Sequence, residues 1–258
     1  MKLVRYLTNE LVKQGIVEGR EVREIIRPGG DWDLKAVKEA GPKADLSDVK
    51  LLAPCLPSKV ICLGLNYRSH AEELNLALPE EPILFMKPST AVIGPDQGIL
   101  YPPQSNRIDY EAELGVVIGR RAYRVDRTEA PDCILGYTCA NDVTARDKQP
   151  LDGQWTYAKS FDTFCPLGPV IETEITDPEA LTVTGLLNGK VVQQASTADH
   201  IFPVAEIIEY VSNCMSLLPG DVILTGTPFG IGPFEPGDQF EVKIEGIGTL
   251  KNRLDRIS

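Results

Sequence analysis

Histidine is scarce in this chain: His70 and His200 are the only two among 258 residues. The six cysteines, Cys55, Cys62, Cys133, Cys139, Cys165 and Cys214, are scattered and form no CxxC pair. A tetrahedral zinc site built from nitrogen and sulfur ligands therefore has no support. Cysteines spaced in this way fit a reducing compartment, and cytoplasm is the expected location. Long apolar runs are also missing. The amino-terminal MKLVRYLTNELVKQG is broken by charge and lacks the core of a secretory signal, and no later stretch has the length of a membrane span. Positive charge is in deficit, with 26 Lys and Arg against 37 Asp and Glu for a net −11. That balance excludes sequence-independent binding of nucleic acid or of an anionic membrane. No GxGxxG stands between a strand and a helix, and Gly226, Gly230, Gly232 and Gly237, interspersed with proline, read as turns. No repeat of fixed period and no low-complexity tract interrupts the chain.

What is present is mostly strand-like. In the first fifty residues LVRYL, GIVEG and REVREII are short β-type pieces, and PGGDWDLKAVKEAG predicts a loop running into a short helix. Together they predict a small α+β cap over residues 1–57, with LAPCLPS (52–58) as the linker into a main domain over 58–258. Beyond it KVICLGL and PILFMKP are strand-length apolar runs, separated by SHAEELNLA, which carries helix formers. YEAELGVVIG, ILGYTCANDVTA, PLGPVI, LTVTGLLNG, KVVQQAS, DVILTGTP and QFEVKIEGIGTLKNRL follow, rich in Val, Ile and Thr and divided by turn residues. Asn188-Gly189 marks a two-residue hairpin, because both positions of such a turn need positive φ. One strong helix is predicted over Phe202–Leu217, closed by Pro219-Gly220. The fold class is α+β and β-dominated.

Candidate chemistry begins with DYEAELG, where Glu111 and Glu113 stand at i and i+2 on one face of a predicted strand. Two adjacent carboxylates are tolerable only when exposed, protonated or bridged by a cation. Taken alone the pair reads equally as a solvated strand face. Asp142, in NDVTARD, adds a third carboxylate, and three oxygen ligands leave up to three positions on an octahedral Mg²⁺ or Mn²⁺ ion for water or substrate. His70 and Glu73 share a helix face at i and i+3, and a carboxylate beside an imidazole raises its basicity; their plain reading is again a solvated face. Lys159, between Tyr157 and Phe161, is either a surface lysine or a counter-charge for the carboxylates. Lys87 and Ser89 after a strand, and Arg146 and Gln149 after Asp142, could offer donors to a substrate carboxylate. Thr225-Gly226-Thr227-Pro228 reads on its own as an ordinary turn.

Seven segments in order, GLNYRSHAEE, LFMKPSTAVIGP, DYEAELGVVIGR, NDVTARD, YAKSFDTFCPLGP, LNGKVVQ and TGTPFGIGP, resemble the fumarylacetoacetate hydrolase family, in particular its bacterial and archaeal branch with a short amino-terminal cap. The resemblance covers about Lys59 to Leu250 and implies the mixed β-roll fold of that family. It implies Glu111, Glu113 and Asp142 as metal ligands, Lys159 as the lysine near the metal, and His70 and Glu73 as a dyad on a lid over the substrate. Thr227 becomes a substrate contact, beside Lys87, Ser89, Arg146 and Gln149. The expected activity is Mg²⁺- or Mn²⁺-dependent cleavage of a C–C bond, hydrolytic or decarboxylative, in a small 2-oxo acid such as an acylpyruvate, fumarylpyruvate or oxaloacetate. Two alternatives stay open: an isomerase or decarboxylase of the 2-hydroxyhepta-2,4-diene-1,7-dioate type, and a catalytically idle protein that binds metal and oxo acid. The resemblance also implies a homodimer.

Overall fold

The computed structural model describes residues 1–26, 34, 37–73, 75–151 and 153–256. Strands dominate. The amino-terminal part forms β1 (Lys2–Thr8), β2 (Leu11–Glu18), β3 (Glu21–Ile26), β4 (Lys38–Asp45) and β5 (Lys50–Leu52). The expected strands at LVRYL, GIVEG and REVREII are there. Of the expected cap helix, the end, Lys38–Gly41, belongs to β4, paired antiparallel to β3, and most of the earlier part lies outside the described residues. Among the described residues the cap is a meander of strands with 3-10 character at Leu34 and at Leu46–Asp48.

The rest of the chain supplies β6 (Val60–Gly64), β7 (Ile83–Lys87), β8 (Val92–Ile93), β9 (Gly98–Tyr101), β10 (Ile108–Tyr110), β11 (Ala112–Ile118), β12 (Ile134–Asn141), β13 (Thr144–Ala145) and β14 (Cys165–Glu172). It continues through β15 (Thr182–Leu187), β16 (Lys190–Ser196), β17 (Val222–Leu224), β18 (Gly232–Pro233), β19 (Gln239–Ile244) and β20 (Gly248–Arg256). Helices are short: α1 (Arg68–Glu73), α2 (Thr156–Lys159) and α3 (Val204–Cys214). The predicted Phe202–Leu217 helix is trimmed at both ends, because Pro203 takes the cap position and Met215 is already extended. At the β15–β16 hairpin Asn188 and Gly189 have φ of 50° and 77°, the conformation that their types favour.

A large mixed sheet runs in the order β4-β3-β2-β1-β14-β12-β11-β17-β6-β7, with β5 on β1 and β8 on β14. A smaller sheet, β16-β15-β19-β20-β9, packs across β11, β12 and β14. The apolar filling between the two sheets includes Leu114, Val116 and Ile118 from β11 with Phe240, Val242 and Ile244 from β19. A second cluster, with Val60, Cys62, Val117, Leu167 and Val222, covers the other face of the large sheet. Strand β11 is therefore buried on both faces along its length, so a charged side chain on it is costly unless partnered. Residues 52–58, expected as a linker, are packed: Ala53, Pro54, Cys55 and Pro57 are buried, and Asp221 accepts from Ser58 and Lys59.

Candidate active site

The β10–β11 edge breaks at Glu111. There two side-chain amides replace the ladder: Asn141 Oδ1 accepts from the Glu111 N–H at 2.9 Å, and Gln193 Oε1 from the Ala112 N–H at 3.0 Å. Asp142 follows the end of β12, and its N–H donates to the Glu111 carbonyl at 2.9 Å. These three tethers bring ligand oxygens of Glu111, Glu113 and Asp142 within 4.8 Å of one another, all three residues buried.

Four cations surround the carboxylates. Lys159 Nζ, itself buried, donates to Glu111 Oε2 at 2.9 Å and to Asp142 Oδ2 at 2.6 Å, and lies 4.8 Å from the centre of the Phe85 ring. Arg146 bonds Glu111 and Gln149, and its Nε donates to Asp109 Oδ2 at 2.8 Å. Arg107 holds the other oxygen of Asp109, and Lys87 Nζ lies 2.7 Å from Asp142 Oδ1. Counting Asp109, four acids face four bases, so the cluster is neutral when all are ionised.

The charge is unevenly satisfied. Burial alone would raise the Glu111 carboxyl, but Lys159 and Arg146 hold it well below the ordinary carboxylate range. Among the described residues Glu113 receives the Gly226 N–H alone, at 2.7 Å, and burial, together with Asp142 and Glu111, pushes its carboxyl well above that range. Burial would lower Lys159, yet Asp142 and Glu111 overrule it and keep the ammonium charged. Asp142 Oδ1 is buried and accepts no hydrogen bond despite its closeness to Lys87. The reason is that the three Lys87 N–H groups already go to the carbonyls of Val143, Lys159 and Phe164, at 2.7–2.8 Å. An unsatisfied carboxylate oxygen, a disfavoured second carboxylate and an oxygen-only donor set fit a hard divalent cation.

Next to this cluster His70 Nδ1 lies 3.0 Å from Glu73 Oε2 on α1. The Gly230 N–H reaches the same carboxylate at 3.3–3.4 Å. One short loop therefore bonds a carboxylate of the cluster through Gly226 and the His70–Glu73 pair through Gly230. Two surface clefts, about 470 Å³ beside Tyr101 and Arg256 and about 380 Å³ beside Tyr137 and Glu179, include none of these side chains in their walls. Chemistry, not cavity size, marks the site.

Residues 59–255 match the sequence profile of the fumarylacetoacetate (FAA) hydrolase C-terminal domain, and residues 1–54 match an Rv2993c-like N-terminal profile. The chain belongs to the fumarylacetoacetate hydrolase family. It is similar to the mitochondrial oxaloacetate tautomerase Fahd2a of Rattus norvegicus, 41% identical over 224 residues that cover 83% of this chain and 72% of that protein. Among solved structures it is similar to 5-carboxymethyl-2-hydroxymuconate delta-isomerase from Mycobacterium smegmatis, with 44% identity, a TM-score of 0.90 and full coverage of both chains. The 2-hydroxyhepta-2,4-diene-1,7-dioate isomerase from Mycobacterium marinum aligns with 44% identity and a TM-score of 0.91 over 99% of this chain and 98% of that one.

Within this family frame the structure brings Glu111, Glu113, Asp142, Lys159 and Arg146 together, with Gln149 attached through Arg146 and the His70–Glu73 pair linked to them through the 226–230 loop. Three of the expected substrate contacts are placed as follows. Lys87 is wholly enclosed and its donors are spent on backbone carbonyls, so it anchors the site and offers nothing to a ligand. The Thr227 hydroxyl donates to the Ala112 carbonyl at 3.0 Å and accepts from Gln193 at 2.9 Å, which makes it a clamp on the carboxylate strand. Ser89 stands exposed on a 3-10 turn, outside the hydrogen-bond network around the carboxylates. Sequence reasoning missed Asp109, Asn66, Asn141 and Gln193. Each is a polar residue in or next to an apolar run, and that mismatch was the available signal.

Proposed function

We propose that this family member moves a proton at the carbon beside the ketone of a small 2-oxo acid, interconverting its keto and enol forms, with Mg²⁺ or Mn²⁺ held by Glu111, Glu113 and Asp142. The observation that carries this reading is the 226–230 loop, which ties a carboxylate of the triad and a histidine–glutamate pair into one unit. A bound divalent ion would supply Lewis acidity toward the 2-oxo and carboxylate oxygens. Glu73 fixes the His70 ring through Nδ1, which leaves Nε2 as the atom that takes the proton from carbon and returns it. Two of the three Lys159 N–H groups are spent on Glu111 and Asp142, and the third is available to the oxygen on which negative charge develops. Arg146 keeps Glu111 ionised and oriented. The triad is nearly sealed from water, so substrate entry calls for a local opening of the surrounding chain. Activities named for the relatives, an oxaloacetate tautomerase and two isomerases, support this choice of reaction.

A second reading is cleavage of a C–C bond in an acylpyruvate or in oxaloacetate, favoured by the same His70–Glu73 pair, since such a dyad can also activate water. The two share an enolate and differ in what His70 deprotonates. The deciding experiment follows enol absorbance and pyruvate release from oxaloacetate and acetylpyruvate, with Mg²⁺, Mn²⁺ or chelator. Tautomerisation without pyruvate supports the first reading, and stoichiometric pyruvate the second. Glu113→Ala is expected to abolish metal-dependent turnover with an unchanged circular dichroism spectrum. Full activity of that variant, or of the wild type in chelator, would sink both.

A further inference from the structure

The helix that carries the dyad has only six residues, and a helix of that length does not persist without outside support. Its support is one stretch of chain just ahead of α3. Tyr67 and His200 form an antiparallel backbone bridge. The Asp199 carboxylate accepts from the Ser69 N–H at 3.0 Å and from its hydroxyl, and Arg68 donates to the carbonyls of Asp199 and His200. Asn66 exchanges hydrogen bonds with the Phe202 backbone, at 2.9 and 3.2 Å.

The His200 ring lies at the centre of this seat. It is buried, and meets the Tyr67 ring edge-on with centroids 4.7 Å apart. Its Nδ1 pairs with Glu179 Oε2 at 3.3 Å, while Glu179 Oε1 accepts the Val204 N–H at the start of α3, at 2.8 Å. Glu179 thus ties the ring to a longer helix whose apolar face is set in the core. Two atoms of the ring pair, Tyr67 Oη and His200 Nε2, are buried with no hydrogen-bond partner among the described residues.

We infer that Glu179 and His200 are positioning residues for the His70–Glu73 dyad. They fix the 199–202 seat, and through it the pose of α1, without touching substrate; the catalytic part of this inference rests on the role given to the dyad above. Misplacement of a reacting group by about 1 Å can cost on the order of a hundredfold in rate. For His200→Ala the expected loss is therefore about ten- to a hundredfold in kcat, with KM and Mn²⁺ affinity close to the parent values. Glu179→Ala should behave alike, whereas Glu179→Gln, whose amide oxygen can accept the Val204 N–H while its amide nitrogen donates to Nδ1 of the other His200 tautomer, should restore most of the rate.

The test measures two things on the full chain. Hydrogen exchange over residues 66–73 should accelerate in His200→Ala and Glu179→Ala, with Mn²⁺ binding, read by electron paramagnetic resonance, unchanged. Turnover is then compared in the parent and in a His70→Ala background. A residue acting through His70 costs nothing further once His70 is gone, so the two losses should fail to multiply. Equal loss in both backgrounds, or unaltered exchange over 66–73, overturns the inference. If His200→Ala does not fold, Glu179→Ala carries the test with the imidazole still filling its place. Should the parent turn over no 2-oxo acid, the functional reading fails while the exchange measurement still decides whether the pair holds α1.

Discussion

At the scale of single residues the site depends on buried charges that each have a named partner. Lys87 is the sharpest case. Its position in FMKPST says only that a cation follows a strand, and nothing in that stretch reveals three carbonyls, from Val143, Lys159 and Phe164, converging on one ammonium. Local sequence cannot show such convergence, since its members lie 56 to 77 residues away. By contrast Glu111, Glu113 and Asp142 were legible as candidates: the glutamate pair alone read equally as a solvated face, and Asp142 together with the family resemblance tipped it toward a metal site. Lys87→Met would leave Asp142 Oδ1 without the ammonium beside it and three carbonyls without a donor. The expected cost is about 3–5 kcal/mol, read as a lower urea midpoint, with Ser89→Ala unchanged as the control. The thiols give a second expectation. Burial pushes Cys55, Cys139 and Cys165 up to about 12 and Cys62 higher than its usual value as well, while Cys214 alone is exposed. An aromatic disulfide reagent at pH 8 should titrate one thiol in the native protein and six in guanidinium; rapid reaction of several would contradict the packing described.

Secondary-structure elements were legible wherever the pattern was strong and local. The Asn188-Gly189 hairpin and the apolar strands β6, β7, β11 and β17 fall where their sequences place them. The Lys38–Gly41 segment does not, because helix propensity there loses to pairing with β3, and Lys38, Glu39, Lys43 and Asp45 suit an outer strand whose charges discourage further pairing. The turn after β17 was legible as a turn but not as a connector. Gly226 there has φ of +98°, and an added Cβ would stand 2.8 Å from Asn66 Cβ. Glycine is required on both counts, since the backbone conformation is unfavourable to other residues and Asn66 is locked by Thr225 and Phe202. Gly226→Ala should cost about 1–3 kcal/mol and move the N–H that Glu113 accepts. Weaker Mn²⁺ binding alongside reduced stability is the expected pair of results, and unchanged metal affinity would separate the turn from the site.

Across the whole molecule, the amino-terminal meander and the catalytic strands belong to one hydrogen-bonded surface. Lys2 and Leu3 of β1 pair with Glu172 and Ile171 of β14, which in turn neighbours the strand leading to Asp142. Leu3 shares a cluster with Ile171 and Leu167, whereas Val4, Tyr6 and Val22 join the cluster between the sheets. Composition shifts suggested a boundary near Pro57, but composition does not report pairing across it, and pairing decides whether a segment can unfold alone. The stretch that crosses the boundary is itself enclosed, with Arg5 Nη1 donating to the Ala53 carbonyl at 2.8 Å and Lys59 paired with Asp221. Independent unfolding of residues 1–57 would uncover the β1 side of β14 and open both clusters at once, a large apolar exposure with no compensating contact. The whole chain should therefore melt in one transition, with calorimetric and van't Hoff enthalpies in agreement, and residues 58–258 expressed alone should lose that transition. Two resolved transitions, or a stable and metal-binding 58–258 fragment, would instead make the meander a separable module and free the catalytic strands from any dependence on it.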